Sequence, residues 1–228
     1  MEFPFEKCEW AMNVTLYNST IYINEIETEA QKENRLGFTS DMPGYNWGFN
    51  FVNAVTEHTE GTSNGKEKYY TFVRNQVGDN SLLLSHLVDC STNSKHLYSH
   101  NSYVELKLCK QRDKRSAKFR RNMFRSWAAY SLAGIHNLIV GLWKDGVVNE
   151  LERFQIKKIP KMKQLHWNPD ESIQSLTSFL DWLREVVIED DPDVVYNITL
   201  KNPFHLINIQ KSVDGSKRFL PTWFTNTT

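Results

Sequence analysis

What this chain has little of narrows its class before any motif is read. It has no excess charge, since 27 Lys and Arg balance 27 Asp and Glu. Net charge therefore favours neither a nucleic-acid nor a membrane partner. Cysteine is sparse: Cys8, Cys90 and Cys109 are odd in number and include no CxxC pair. That argues against a disulfide framework or a structural zinc site and points to a reducing compartment. No apolar run is long enough for a signal peptide or a transmembrane helix, so the expected location is intracellular, nuclear or cytoplasmic, with no membrane partner. Gly-rich phosphate loops, GxSxG elbows, internal repeats and low-complexity segments are missing too, which removes the commonest nucleotide and acyl-transfer motifs.

What is present suits one globular domain over residues 1–228: 40% hydrophobic and 13% aromatic residues in 228 positions. "STIYINEIET" (19–28) alternates Ile21, Ile23 and Ile26 with polar residues and predicts a strand. "MPGYNWGFNFVNAV" (42–55) predicts a helix with an aromatic face after a Pro-Gly turn, and 60–66 is a polar loop. Two strands, 68–77 and 81–90, flank "GDN" as a hairpin, and "SYVELKLC" (102–109) is a further strand. A basic helix over 114–134 stops at Gly134, and "HNLIVGLW" (136–143) reads as a buried strand. Pro169 opens a helix (170–189) whose Ile173, Leu176, Phe179, Leu180, Leu183 and Val187 form one stripe, and 204–212 is a late strand. This order predicts an α+β domain with a mixed β-sheet flanked by helices.

Chemistry concentrates in two places. Asp89 ends one strand, and Glu105-Leu106-Lys107 lies on the next. Residues two apart on a strand share a face, so Glu105 and Lys107 point the same way, and a neighbouring strand can bring Asp89 beside them. Two carboxylates and a backbone carbonyl suit Mg²⁺ or Mn²⁺, with Lys107 placed to orient a water. This is the minimal kit of a restriction-endonuclease-like, PD-(D/E)xK nuclease core. The same residues also describe an ordinary strand with a solvated charged face, and short motifs match by chance more often than they mark a site. His86, near Asp89, is the one histidine worth following.

The second concentration is the run from Lys107 to Arg125. It holds Lys107, Lys110, Arg112, Lys114, Arg115, Lys118, Arg120, Arg121 and Arg125 against the single acid Asp113. Such a cluster beside the carboxylates is what phosphate-backbone binding requires, although a solvated helix face has the same composition. Tyr98, Tyr103 and Phe119 are candidates to stack on bases, or to fill a core.

Taken in order, these segments resemble the decapping exoribonuclease (DXO) family, whose members act on RNA 5′ ends. "MPGYNW" is similar to the family's Gly-Tyr motif, "SLLLSHLVDC" and "SYVELKLCK" to its metal-site strands, "FRSWAAYSLAGIHNLIVGLWKDG" to its helix-to-strand passage, and "VVIEDDPDVVY" and "KRFLPTWF" to its C-terminal end. The resemblance implies metal ligands at Asp89, Glu105 and the backbone of Leu106, with Glu105 and Lys107 catalytic. The expected RNA contacts come from the basic cluster instead: Lys110, Arg112, Lys114, Arg115, Lys118 and Arg121. The implied cofactor is Mg²⁺ or Mn²⁺; the implied partners are RNA 5′ ends, and with them RNA-processing proteins or a 5′→3′ exoribonuclease.

Four positions depart from the family pattern. Gly48 stands where a metal-binding Glu is usual, and Leu87 replaces the first residue of Glu-x-Asp. Ala129 sits where "WAQS" supplies Gln, and Trp143 where Arg follows Gly-Phe. The chain is expected to lack the family's N-terminal portion as well. These departures favour reduced or lost turnover. Three readings compete: a metal-dependent enzyme removing incomplete or NAD-type caps and degrading RNA from its 5′ end; a Cutoff-like pseudoenzyme that holds RNA 5′ ends or scaffolds other factors; and a fragment without function of its own.

Overall fold

The computed structural model describes residues 8–36, 46–57, 68–92, 100–111, 116–163 and 167–226. In chain order the elements are β1 (Trp10–Tyr17), β2 (Thr20–Ile26), α1 (Glu29–Leu36), α2 (Trp47–Val55), β3 (Tyr70–Val77), β4 (Asn80–Leu87), β5 (Cys90–Ser91) and β6 (Tyr103–Lys110). Then follow α3 (Ala117–Leu132), β7 (Asn137–Lys144), β8 (Val147–Gln155), α4 (Pro169–Val186), β9 (Val195–Leu200), β10 (Ile207–Ser212) and α5 (Thr222–Thr225). They divide into two compact units, Met1–Thr39 with Ser172–Thr228, and Ser40–Glu171. The loop expected at 60–66 lies outside the described residues.

The first unit is built on an antiparallel sheet of order β10-β9-β1-β2. Asn18 and Ser19, with φ of 47° and 58°, form the two-residue turn between β1 and β2, the left-handed pair that suits strand twist. The Asp190 carboxylate accepts both of their backbone N–H groups at 2.8 Å. Val14, Val195, Ile198 and Leu200 are buried in the sheet, and Leu180, Leu183 and Val187 are buried on the α4 stripe. Ile173, expected on that stripe, is 46% exposed and lies off it.

The second unit holds the hairpin β3-β4 and a mixed sheet of order β5-β6-β7-β8. The hairpin turns at Gly78-Asp79, as "GDN" predicts. β6 and β7 are parallel, with α3 as the crossover a parallel pair demands. β7 returns antiparallel into β8 through Asp145-Gly146, both at positive φ. α2 is seated by Phe51, buried with Val104 and Leu106 against Val52, Cys90, Leu108 and Ile139. Gly141 makes that seat possible, since a Cβ there would lie 2.6 Å from Phe51 Cε2. Tyr103 belongs to the core: it is 2% exposed, and its hydroxyl meets that of Tyr69 at 2.8 Å. No helix among the described residues is long and apolar enough to cross a membrane.

Candidate active site

Strand alternation splits β6 into two sides. Val104 and Leu106 join the Phe51 cluster, while Glu105, Lys107 and Cys109 meet α3. Tyr130 lies beside the Glu105 carboxylate. Lys107 Nζ donates to Ser126 Oγ at 3.1 Å, and Asn122 Nδ2 lies 4.0 Å from Cys109 Sγ. The pairing is metric. Two strand residues advance about 6.6 Å and four helix residues about 6 Å, so an antiparallel helix meets every second strand side chain with every fourth of its own. Ser126 and Tyr130 were not among the residues the sequence singled out. Their signal is the spacing Asn122, Ser126, Tyr130 against Glu105, Lys107, Cys109.

Asp89 reaches the site from a break between sheets. The sequence predicts one strand to Cys90, but β4 ends at Leu87, and the chain re-enters the mixed sheet as β5, with Cys90 opposite Val104. In between, Asp89 Oδ2 accepts a hydrogen bond from Leu106 N at 2.9 Å, which fixes its carboxylate beside the Glu105-Leu106-Lys107 segment. His86 Nε2 lies 3.0 Å from Glu105 Oε1, with its ring edge-on to Tyr130 at 5.7 Å. It is His86, not Leu87, that reaches Glu105. Leu87 is 37% exposed and pairs across the hairpin with Tyr70.

The electrostatics follow from burial. Glu105 is 5% exposed; desolvation pushes its pKa up and the Asp89 charge pushes it further, while the neighbouring His86 and Tyr130 pull it back. Burial lowers the Lys107 pKa, opposed mainly by Cys109 and Glu105. The Lys107 ammonium also sits 5.1 Å above the Tyr130 ring, which favours the charged form.

The basic run is only partly described, because Arg112, Lys114 and Arg115 lie outside the described residues. Lys110 and Lys118 are exposed and line a cavity of about 270 Å³ with Cys109, Phe119, Asn122 and Trp143. The Lys110 ammonium stands 5.5 Å over the Trp143 ring, and Arg121 is exposed on α3. Ser116 caps α3 by accepting from Phe119 N, and the first turn carries no acid. Among the described residues, the positive end of α3 therefore has no carboxylate in its first turn to repel phosphate. A larger groove of about 540 Å³, lined by Trp47, Phe51 and Trp143 among others, contains none of the candidate site residues.

The donor set fits a single hard cation. Asp89 and Glu105 repel one another through a shared, partly desolvated space, which a divalent ion would relieve, and Leu106 adds a carbonyl. It does not provide a third acid: among the described residues, no three His, Cys, Asp or Glu side chains form a metal-holding group. The four departures from the family pattern have definite places. Gly48 and Ala129 are exposed on α2 and α3, Leu87 is on the open hairpin face, and Trp143 is stacked edge-on to Trp47 at 4.6 Å.

Known proteins resemble this chain over nearly its whole length. A family model described as RAI1 like PD-(D/E)XK nuclease matches residues 1–225. The decapping and exoribonuclease protein of Homo sapiens is 25% identical over 243 residues, covering 97% of this chain and 60% of its own length. Decapping nuclease RAI1 of Neurospora crassa is 26% identical over 219 residues, covering 83% and 53%. Candida albicans Rai1, solved in complex with pU5-Mn²⁺, superposes with a TM-score of 0.73 at 17% identity, covering 90% of this chain and 63% of that one. Scheffersomyces stipitis Rai1, solved with (3′-NADP)⁺ and calcium, gives 0.73 at 18% identity, covering 91% and 63%. The chain thus spans about 60% of the length of the first of these relatives. The shared fold is the α+β architecture with a mixed, helix-flanked sheet expected from the sequence.

Proposed function

Because the chain belongs to the RAI1-like PD-(D/E)XK nuclease family, we propose that it acts on RNA 5′ ends, hydrolysing a phosphodiester or cap linkage there with one Mg²⁺ or Mn²⁺ ion. The observation that carries this is the convergence of Asp89, Glu105 and Lys107 on one face under α3. Asp89, Glu105 and the Leu106 carbonyl hold the ion. A divalent cation in such a place acidifies water and neutralises charge on the phosphate. Lys107, steadied by Ser126 and the Tyr130 ring, orients the attacking water. Lys110, Lys118 and Arg121, together with Arg112, Lys114 and Arg115, hold the RNA backbone. The substrate class is RNA with a 5′-monophosphate, an incomplete cap or an NAD-type cap; complexes of relatives with pU5 and (3′-NADP)⁺ support it. The proposal takes residues 1–228 as one intracellular DXO-like domain, with RNA-processing proteins, a 5′→3′ exoribonuclease among them, as its protein partners.

Turnover is expected to be lower than in relatives with a complete acidic set. A second reading, a module that binds RNA 5′ ends without cutting them, is favoured by one observation, the lack of a third metal-holding side chain among the described residues. One assay separates the two. The protein is incubated with Mn²⁺ and 5′-monophosphate or NAD-capped RNA beside Lys107→Ala. Hydrolysis that falls by about 10² or more in the variant supports the enzyme, on the scale of losing one preorganised donor. RNA retained uncut by both proteins supports the module.

The basic cluster has its own test. Each phosphate contact on a single strand contributes about 0.7 to the slope of log affinity against log salt. Lys110→Ala/Lys118→Ala is therefore expected to reduce that slope by about 1.4, read by fluorescence anisotropy of labelled RNA. An unchanged slope would remove these two lysines from the RNA path.

A further inference from the structure

Trp143 stands near the end of β7, where the ladder to β8 is broken. Pairing passes from Leu142–Glu150 to Trp143–Val148 and skips Asn149, a bulge of the kind that re-aims a side chain. The indole is half-buried and lines two cavities. It shares the groove of about 540 Å³ with Trp47, which meets it edge-on at 4.6 Å. It shares the cavity of about 270 Å³ with Lys110, Lys118, Phe119 and Asn122. The Lys110 ammonium rests 5.5 Å from the centre of the Trp143 ring. This smaller cavity adjoins the catalytic face. Cys109 lines it and follows Lys107 on the same side of β6, about 6.6 Å along the strand. The cavity also lies at the carboxyl ends of the parallel strands β6 and β7, beside the first turns of α3, where open α/β sheets take their ligands.

We propose that this cavity is a stacking subsite, in which one unpaired RNA base lies on the Trp143 indole while Lys110 and Lys118 hold the adjoining phosphate. The proposal rests on the reading that the chain binds RNA 5′ ends. The size suits one base: a cavity of about 150 Å³ takes a benzene ring, and pockets for drug-sized ligands start at about 300 Å³. The chemistry suits it as well. An indole offers a π-face on which bases of any sequence stack. The described lining residues include two lysines and no Asp or Glu. In the RNA-free protein Lys110 covers the ring because a cation and a π-face attract. A nucleotide satisfies both partners at once, its base taking the ring and its phosphate the ammonium. Trp47 braces the indole meanwhile. The subsite therefore selects single-stranded ends, since a paired base reaches the ring only by leaving its stack, at a cost.

The test is an abasic scan by fluorescence anisotropy in EDTA and low salt, where binding runs on the basic cluster. Labelled 5′-monophosphate RNAs each lack one base near the 5′ end and keep every phosphate. The wild type is expected to bind about tenfold more weakly when one particular base is missing, the scale of one base–aromatic stack. Trp143→Ala is expected to lose about tenfold on intact RNA and nothing more on that abasic RNA. Trp143→Phe keeps a π-face and should keep the discrimination. Trp143→Leu keeps an apolar contact for Trp47 without a π-face, so it decides the matter even where Trp143→Ala does not fold. A wild type that binds RNA yet ignores every missing base overturns the subsite and leaves the RNA reading standing. Discrimination that survives in Trp143→Leu does the same. No RNA binding by the wild type overturns both.

Discussion

Glu105→Gln is expected to remove Mn²⁺-dependent hydrolysis while leaving the metal-free protein as stable as the wild type or more so. The loss of rate, on the order of 10² or more, follows from removing a charged ligand and its electrostatic support at the reacting phosphate. The stability half follows from burial. Glu105 is buried beside Asp89, and its pKa is raised in the fold, by desolvation first and by Asp89 second. A carboxyl whose folded pKa exceeds its unfolded one binds more protons folded than unfolded. Its contribution to stability is therefore complete below the unfolded pKa and is lost as pH rises through the folded pKa. Gln imitates the protonated acid, with one acceptor oxygen and no charge. The melting temperatures of variant and wild type in EDTA should nearly coincide in mild acid and then diverge, the variant gaining as pH rises. A variant that loses stability relative to the wild type on going from pH 5 to pH 8 would show that the Glu105 charge is stabilising, and that the burial argument is wrong.

Phe51→Ala is expected to lower the thermal midpoint of the β3–β8 unit by roughly 10 °C. Deleting a buried Phe costs about 3–5 kcal/mol, and a chain of this size loses about 2–4 °C per kcal/mol. Phe51 is 5% exposed and is the buried residue through which α2 meets Val104 and Leu106. A second substitution probes the same contact. A Cβ at Gly141 would sit 2.6 Å from one ring carbon of Phe51 and 2.7 Å from another, so Gly141→Ala alone should destabilise by about 1–3 kcal/mol through overpacking. In the Phe51→Ala background the ring is gone, and the same methyl fills part of the cavity. Calorimetry of the four proteins should show the two effects to be strongly non-additive. Additive effects would mean that α2 is not seated on Gly141.

The sequence showed those parts of the fold whose pattern is local and one-sided. β6 alternates, α3 is a basic helix stopped at Gly134, α4 carries a helical stripe, β7 is a continuous apolar run, and the hairpin is punctuated by "GDN". β8 offered no such pattern, because nearly every residue from Val147 to Gln155 has exposed or half-exposed surroundings. β1 was equally hard to read, since its buried Val14 and Thr15 are adjacent instead of alternating. The site was legible as a set of residue types and less so as an arrangement. "SLLLSHLVDC" is apolar enough to read as one strand, so the passage between sheets at Val88 and Asp89 was hidden. Ser126 lies 19 positions from Lys107, and its hydroxyl, like that of Tyr130, is unremarkable within a helical stripe. Only the fold shows what each one touches.

Strand β6 divides its labour between faces, and natural selection sees those faces separately. Val104 and Leu106 answer to the requirement that the unit stay folded, whereas Glu105 and Lys107 answer to chemistry. A lineage that no longer needs the reaction can change the residues around the second face one at a time, with little penalty in folding. The scaffold then outlives its original task and is open to recruitment for another.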